Sequence, residues 1–138
     1  MNRNKILKSL NIKQLKKCPV SRQYCEDVLG YIPRGLACPW DRTIWLKKNC
    51  ADWIFIHEII HVLMNHSNAR EEFDHAFMLQ ELECETTTLE ICKKLNIYFD
   101  QYGFKWCKRL AKRKKYDIKL RLNRMNQAKQ QFLEAYKK

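Results

Sequence analysis

The order of hydrophobic and polar residues along the chain predicts a mainly helical protein. Apolar residues recur every three or four positions in residues 4–17, 70–95 and 118–136, as they do on the buried face of an amphipathic helix. Asn96 favours the left-handed residue that ends the second of these helices. Between the first two segments, the apolar run Trp53–Met64 predicts a buried helix that is capped by Asn49 and ends near Asn65.

Local signals add a short helix, a loop and a strand to the first third of the chain. Cys18-Pro19 ends the first helix, because proline disfavours a helical residue before it. Ser21 caps a second helix that stops at Gly30. Residues 31–42 contain two prolines and are expected to be irregular, whereas residues 43–46 are β-branched and aromatic and predict a strand. We therefore expect an α+β fold, mostly helical, with a small β-sheet.

Length and composition narrow the class of protein. A chain of 138 residues, 46% of them hydrophobic, suffices for one compact domain with a single core. The longest apolar run has 12 residues and includes two histidines and a glutamate, so it is too short and too polar to cross a bilayer. The basic start of the chain lacks the apolar segment of a secretory signal. We expect a cytoplasmic protein without a membrane partner.

The net charge of +12 is concentrated at the two ends of the chain. Residues 1–17 carry six basic and no acidic side chains, and residues 105–138 carry 13 basic and 2 acidic ones. The region between them is mildly acidic, with 8 basic and 13 acidic side chains. This distribution divides the chain into a domain of residues 1–104, which includes a short basic N-terminal helix, and a long basic C-terminal helical extension of residues 105–138.

The densest basic run, Lys105–Lys115, is a candidate nucleic-acid contact. Such a run can neutralise phosphates and release their counterions. The candidate residues are Lys112, Arg113, Lys114 and Lys115. The alternative is a solvated helix face that keeps the protein soluble, and no nucleic-acid fold signature accompanies the run.

The seven cysteines are expected to be free thiols. No Cys-x-x-Cys pair is present, which argues against a zinc ribbon or a thioredoxin-like motif. In a reducing compartment a free cysteine behaves as a small buried hydrophobic residue. A metal cluster of Cys18, Cys25 and Cys38 is the alternative.

A metal site is predicted by His57-Glu58-Ile59-Ile60-His61, an H-E-x-x-H motif. Histidines at positions i and i+4 of a helix lie on one face, so both imidazoles can bind one zinc ion. Glu58 can then act as the general base for a metal-bound water. Because the flanking residues are almost all apolar, the helix is expected to be buried, and a metal gives its polar groups a partner.

The third ligand is expected on the next helix. A catalytic zinc site takes three protein ligands and keeps a fourth position open. Glu81, Glu83, Glu85 and His75 are the candidates, and the charge pattern does not choose among them. The spacing of His66 from His61 does not fit the longer H-E-x-x-H-x-x-G-x-x-H motif. We expect His66 at the surface, and a position beside one of the metal ligands is the alternative.

The stretch QELECETTTLEICKKLNI, residues 80–97, resembles the zinc-binding helix of the ImmA/IrrE-type metallopeptidase family. In that family, H-E-x-x-H is followed by E-x-E-A-E/N, and a glutamate of this segment completes the zinc site. The alignment implies Glu83 as the third ligand, with Cys84 and Thr88 in place of two family alanines. Residues 32–37 and 43–46 resemble the loop and strand that lead into the family's zinc helix.

The resemblance implies a zincin-like fold and a zinc-dependent peptidase. Its substrate would be a regulatory protein such as a DNA-bound repressor, as for family members from phages, other mobile elements and stress responses. The ligands would be His57, His61 and Glu83, and Glu58 would take the proton of the attacking water. The developing oxyanion would need a further donor, for which Tyr98, Tyr102, Arg70 and His75 are candidates.

A nucleic-acid-associated protein is the alternative function. It would be a binding module with a structural zinc site and basic ends, or a protease similar to the SprT-like DNA–protein crosslink proteases. In the second case His75 would be the third zinc ligand. No zinc ribbon of that family is visible in the chain.

Overall fold

The computed structural model describes residues 1–66, 75–101, 105, 108–109, 112 and 118–138. The helices are α1 (Arg3–Leu10), α2 (Arg22–Tyr24), α3 (Asp52–Leu63), α4 (His75–Leu95) and α5 (Leu122–Lys137), and the strands are β1 (Lys13–Leu15), β2 (Gly35–Cys38) and β3 (Thr43–Leu46). A π-helical turn, Cys25–Leu29, extends α2, and 3-10 turns, Pro39–Asp41 and Ile118–Arg121, precede β3 and α5. The described residues therefore form a mainly helical α+β fold, as the sequence predicts.

The three strands form one mixed sheet in the order β1-β3-β2. β3 pairs in parallel with β1, where Gln14 lies opposite Ile44, and antiparallel with β2, where Leu36 lies opposite Trp45. The strand predicted at residues 43–46 is confirmed and is the central one. The prediction of an irregular segment over residues 31–42 is wrong in part, because residues 35–41 form β2 and a 3-10 turn. This arrangement leaves β2 at one edge of the sheet.

The first helix ends earlier than its hydrophobic pattern predicts. Asn11 adopts a left-handed conformation with a φ of 55°, and its N–H bonds back to the carbonyl of Lys8. Asparagine tolerates this conformation better than most residues. The chain then turns into β1, so the prediction of a continuous helix over residues 4–17 is wrong beyond Leu10.

Three predicted helix boundaries are confirmed and one is wrong. The Ser21 hydroxyl accepts a hydrogen bond of 3.0 Å from the Tyr24 N–H, and Gly30 ends the following turn with a φ of 73°. Asn96 is left-handed after α4, with a φ of 57°. Asn49 does not cap α3, because it is itself left-handed with a φ of 61° and the helix begins after Ala51.

The core surrounds α3, which is buried over most of its length. Apolar residues of this helix pack against α4 and the sheet, and Ile56, Ile59 and Ile60 are inaccessible to solvent. An ion pair of 2.8 Å between Arg3 and Asp52 connects α1 to the start of α3. Burying a β-branched or aromatic side chain contributes about 1.5–3 kcal/mol, so the helix that carries the H-E-x-x-H motif is firmly held.

The C-terminal helix belongs to the same core. On α5, Met125, Ala128 and Phe132 are buried in one cluster with the apolar residues of α1, α3 and α4. The predicted boundary between residues 1–104 and 105–138 therefore separates two parts of a single core. Among the described residues, no helix combines the length and apolar character that a membrane crossing requires.

Candidate metal centre

The two histidines of the H-E-x-x-H motif face each other on α3. The Nε2 atoms of His57 and His61 are 3.0 Å apart, and the rings meet edge to face. This geometry follows from the helical repeat, because residues four positions apart lie one above the other on the same face. Both side chains are nearly buried, with about a tenth of each exposed.

Glu81 of α4 completes a cluster of three ligand atoms. Its Oε1 lies 2.9 Å from Nε2 of His61, and its Oε2 lies 3.5 Å from Nε2 of His57. Ligand atoms about 2.0–2.1 Å from a tetrahedral zinc ion are themselves about 3.3 Å apart. The imidazole and carboxylate groups of His57, His61 and Glu81 therefore have the chemistry and the spacing of a divalent metal site.

Cys84 lies beside the same histidines but is engaged elsewhere. His57, His61 and Cys84 also form a group whose atoms lie close enough to hold a metal. The Cys84 thiol, however, donates to the backbone carbonyl of His57 at 3.0 Å, and burial raises its pKa to about 12. A zinc ligand is a thiolate. The protonated Cys84 is therefore a poorer ligand than the Glu81 carboxylate.

Glu85 is the second carboxylate of α4 that faces α3. Its Oε1 lies 3.1 Å from Nδ1 of His57, on the side of the ring away from His61. The other oxygen of Glu85 is buried and makes no hydrogen bond to the described residues. Nδ1 of His57 is likewise buried without a hydrogen bond to the described residues, so Glu85 lies close to this nitrogen but is not aligned to bond it.

The surroundings act in opposite directions on the two histidines. Burial lowers the pKa of His57, but Cys84, Glu81 and Glu85 outweigh burial and raise it well above its ordinary value. Burial lowers the pKa of His61 to about 4, and the neighbouring His57 and His66 act in the same direction. Burial also opposes ionisation of Glu81, yet the two histidines hold its pKa well below the usual range. A neutral His61 and an ionised Glu81 are the forms that bind a metal, whereas His57 has to release its proton when a metal binds.

Glu83, the ligand implied by the family resemblance, lies apart from this cluster. Its side chain is fully buried, with Oε2 2.9 Å from Nε2 of His66 and Oε1 2.8 Å from Nε of Arg121. The helix turns Glu83 away from the face that carries Glu81 and Glu85, because residues two apart lie on roughly opposite sides. Glu83 therefore lies outside the cluster that Glu81 forms with the two histidines.

His66 is buried, and its predicted place at the surface is wrong. Its Nδ1 lies 2.8 Å from Nδ1 of His61, so it contacts the metal-binding cluster directly. The left-handed Asn65, with a φ of 51°, follows α3 and precedes His66.

Arg121 was not among the candidate site residues, and no local pattern in the sequence marks it. Glu81 and Glu85 are four positions apart, as are the two histidines of the motif. This shared spacing is the signal in the sequence that the two pairs face each other across the two helices.

Glu58 is buried against the start of β2. A Cβ atom added at Gly35 would lie 2.9 Å from Cγ and 3.3 Å from Cδ of Glu58. Glycine at this position therefore leaves the space that the Glu58 side chain occupies. The edge strand and the side chain of the candidate base are therefore packed closely together.

Several candidates lie away from the site or outside the described residues. Tyr98 is exposed just after α4. Arg70, Tyr102, Arg113, Lys114, Lys115 and the side chain of His75 lie outside the described residues. Lys112 is described and exposed. Cys18, Cys25 and Cys38 are free, and they do not form one of the possible metal groups among the described residues.

The described residues thus contain a compact set of histidine, glutamate and cysteine side chains with the spacing of a metal site. They place the site between α3 and α4, beside the edge of the sheet. Comparisons of the chain with protein-family models, with curated proteins and with solved structures find no match.

Proposed function

We propose that the protein is a zinc-dependent metallopeptidase with a zincin-like fold, of the ImmA/IrrE type. The observation that carries this proposal is the convergence of His57 Nε2, His61 Nε2 and one Glu81 carboxylate, 2.9–3.5 Å from one another. Two imidazoles and one carboxylate are a ligand set of catalytic zinc sites. We therefore assign the third ligand to Glu81 in place of Glu83.

A catalytic site explains the cluster better than a structural one. Structural zinc sites are closed by four protein ligands, usually including cysteines. Here three protein ligands meet, and the nearby Cys84 thiol is hydrogen bonded to a backbone carbonyl. Glu81 is 23% exposed and is the most accessible member of the three. Water and substrate would approach from that side.

Glu58 is the candidate general base. When bound, zinc lowers the pKa of its water and polarises the scissile carbonyl. The Glu58 carboxylate would accept the proton of the attacking water and deliver it to the leaving amine. Its burial against Gly35 keeps the side chain in one place. The motif puts Glu58 next to a ligand in the sequence without making it a ligand.

The substrate is proposed from the resemblance alone. Members of the ImmA/IrrE-type family suggest a regulatory protein, such as a DNA-bound repressor, in a cytoplasmic setting. A basic protein is compatible with a target that sits on DNA, because its positive charge favours approach to the phosphate backbone.

Zinc content tests the proposal. We expect about one zinc per chain in the wild-type protein and in Glu90→Ala, which changes an exposed glutamate of α4. Glu81→Ala and His61→Ala should each remove most of the zinc, because they delete a ligand. Their thermal unfolding, recorded without metal, checks that each variant folds. Full zinc occupancy in Glu81→Ala would contradict the assignment, and full occupancy in His61→Ala would contradict the site.

Polyanion binding is a second candidate function, favoured by the exposure of the described basic residues that precede α5. Lys105, Arg109 and Lys112 are exposed. They belong to a segment that carries most of the net positive charge of the protein. We infer that this segment contacts nucleic acid, either as an aid to a DNA-bound substrate or as the main role of a binding protein.

A further inference from the structure

A line of buried contacts leads away from the second histidine of the motif. His61 Nδ1 lies 2.8 Å from His66 Nδ1, and His66 Nε2 lies 2.9 Å from Oε2 of Glu83. The other oxygen of Glu83 forms an ion pair of 2.8 Å with Nε of Arg121. We call His66, Glu83 and Arg121 the His66 chain.

The His66 chain is built from three separate parts of the protein. His66 follows the end of α3, Glu83 lies in the middle of α4, and Arg121 precedes α5. Arg124, three residues after Arg121, donates a hydrogen bond of 2.8 Å to the carbonyl of Met64. The same C-terminal segment therefore also holds the end of α3. His66 and Glu83 are both buried. A buried carboxylate is stable only if its charge is compensated, and Arg121 supplies that charge.

Only one arrangement of protons satisfies the His66 chain while His61 keeps its Nε2 free for a ligand. Nε2 of His61 then carries no proton, so its Nδ1–H donates to Nδ1 of His66. His66 accepts there, and its Nε2–H donates to the Glu83 carboxylate. A carboxylate can only accept hydrogen bonds. Glu83 therefore selects this tautomer of His66, which in turn selects the metal-binding tautomer of His61. Arg121 pairs with the other oxygen of Glu83 and holds that side chain in place.

We propose that His66 and Glu83 are positioning residues that hold His61 in the orientation and tautomer required for metal binding, with Arg121 anchoring them from the C-terminal segment. This inference rests on the proposed function in that it takes His61 as a ligand. It gives the fully buried Glu83 a role that is distinct from ligation. It also makes the C-terminal segment part of the metal centre.

The affinity for zinc, measured by competition with a chromophoric chelator on the metal-free full-length protein, tests the proposal. Removal of a partner of a metal-binding histidine typically weakens metal affinity about 10–100-fold. We expect a loss of this size in Glu83→Ala. Glu83→Gln should lose less, because its amide oxygen still accepts from His66. Thr87→Val is the matched control, since Thr87 is also buried on α4 and bonds the backbone carbonyl of Glu83 without touching His66.

A second readout separates positioning from general stability. In the cobalt-substituted protein, the visible absorption reports the ligand geometry. It should change in Glu83→Ala and stay unchanged in Thr87→Val, even where the two variants unfold at the same temperature. If Glu83→Ala does not fold, His66→Phe serves in its place, because it removes the partner of His61 while Arg121 still compensates the charge of Glu83.

The outcomes distinguish the two proposals. Equal zinc affinity and equal cobalt spectra in wild type, Glu83→Ala and Thr87→Val would overturn the role of the His66 chain while leaving the metal site intact. Where Glu83→Ala is unfolded, equal values in wild type and His66→Phe would do the same. Wild-type protein that binds zinc no better than His61→Ala would instead refute the proposed function itself. A graded loss, with Glu83→Gln between wild type and Glu83→Ala, supports the inference.

Discussion

Glu81, Glu83 and Glu85 occupy alternate positions of one helix and have different surroundings. Each residue advances about 100° around the helix axis, so Glu83 lies about 200° from Glu81, whereas Glu85 lies almost directly above it. Glu81 and Glu85 therefore both face the histidines of α3. Glu83 faces the opposite side, where it contacts His66 and Arg121. Three identical side chains thus have three different surroundings: Glu81 lies beside both histidines, Glu85 beside His57 alone, and Glu83 in a buried ion pair.

Glu58→Gln tests the proposed base at the level of one residue. Glutamine has nearly the same shape but cannot accept a proton at neutral pH, so the variant should keep its zinc and its unfolding temperature. General acid–base assistance contributes about 10²–10⁴-fold to a rate, and any peptidase activity should fall by that amount. The activity can be followed as a fragment of a co-expressed substrate protein that disappears with the variant. Unchanged cleavage would remove Glu58 from the mechanism.

At the scale of elements, the contact between β2 and α3 sets the position of Glu58. Gly35→Ala would place a methyl group 2.9 Å from Cγ of Glu58 and 3.1 Å from a methyl group of Ile54. Overpacking of this kind costs about 1–3 kcal/mol. We expect lower stability and a loss of activity that is larger than the loss of folded protein. Zinc should be retained, because no ligand moves.

Gly30→Ala is the matched control for that substitution. Gly30 has a φ of 73° and open space around its Cα, so alanine there strains the backbone by roughly 1–2 kcal/mol without touching the site. Activity corrected for the folded fraction should be normal in Gly30→Ala and reduced in Gly35→Ala, as measured by denaturant unfolding beside the cleavage assay. Equal corrected activities would mean that Gly35 does not position Glu58.

The elements that the sequence predicts are those determined by nearby residues. The helix of the H-E-x-x-H motif, the strand at residues 43–46 and the caps at Ser21 and Gly30 depend on contacts within a few positions. β1 was missed because Lys13–Leu15 becomes a strand only by pairing with β3, some 30 residues further along the chain. A parallel pairing of this kind leaves no local period in the sequence.

The same distinction applies to the candidate site. His57 and His61 are on one helix, so their common face follows from the spacing alone. The choice of Glu81 over Glu83 depends on how α4 is rotated against α3, which is a property of packing between helices. Arg121 reaches Glu83 from the other end of the chain. No pattern within α4 could indicate that a cation covers one of its glutamates.

For the whole molecule, the C-terminal region combines two roles along one segment. The apolar side of α5 lies in the core with α1, α3 and α4, and Arg121 neutralises the buried Glu83. The described basic residues before α5 are exposed at Lys105, Arg109 and Lys112. Truncation of residues 105–138 would therefore remove part of the core together with the charge. Substitutions within the basic run Lys105–Lys115 separate these effects.

Charge reversal tests whether the basic run binds nucleic acid. The test variant changes Lys112, Arg113, Lys114 and Lys115 to Glu, and the control changes the exposed Lys47, Lys48, Lys93 and Lys94 to Glu. Each set lowers the net charge from +12 to +4, so only the position of the change differs. We expect zinc content to be normal in the two variants, because every candidate ligand lies between residues 57 and 85.

The expected difference between the variants is in their binding to nucleic acid and its dependence on salt. Each lost phosphate contact removes about 0.9 from the slope of log affinity against log salt concentration on duplex DNA. The test variant should therefore bind a DNA duplex more weakly at low salt and with a flatter salt dependence than the control, as measured by fluorescence anisotropy. Equal affinities of the two variants would show that only the overall charge matters. If the wild-type protein binds no nucleic acid at low salt, the basic run is a solvated face, and the chemistry of the protein resides in the metal centre alone.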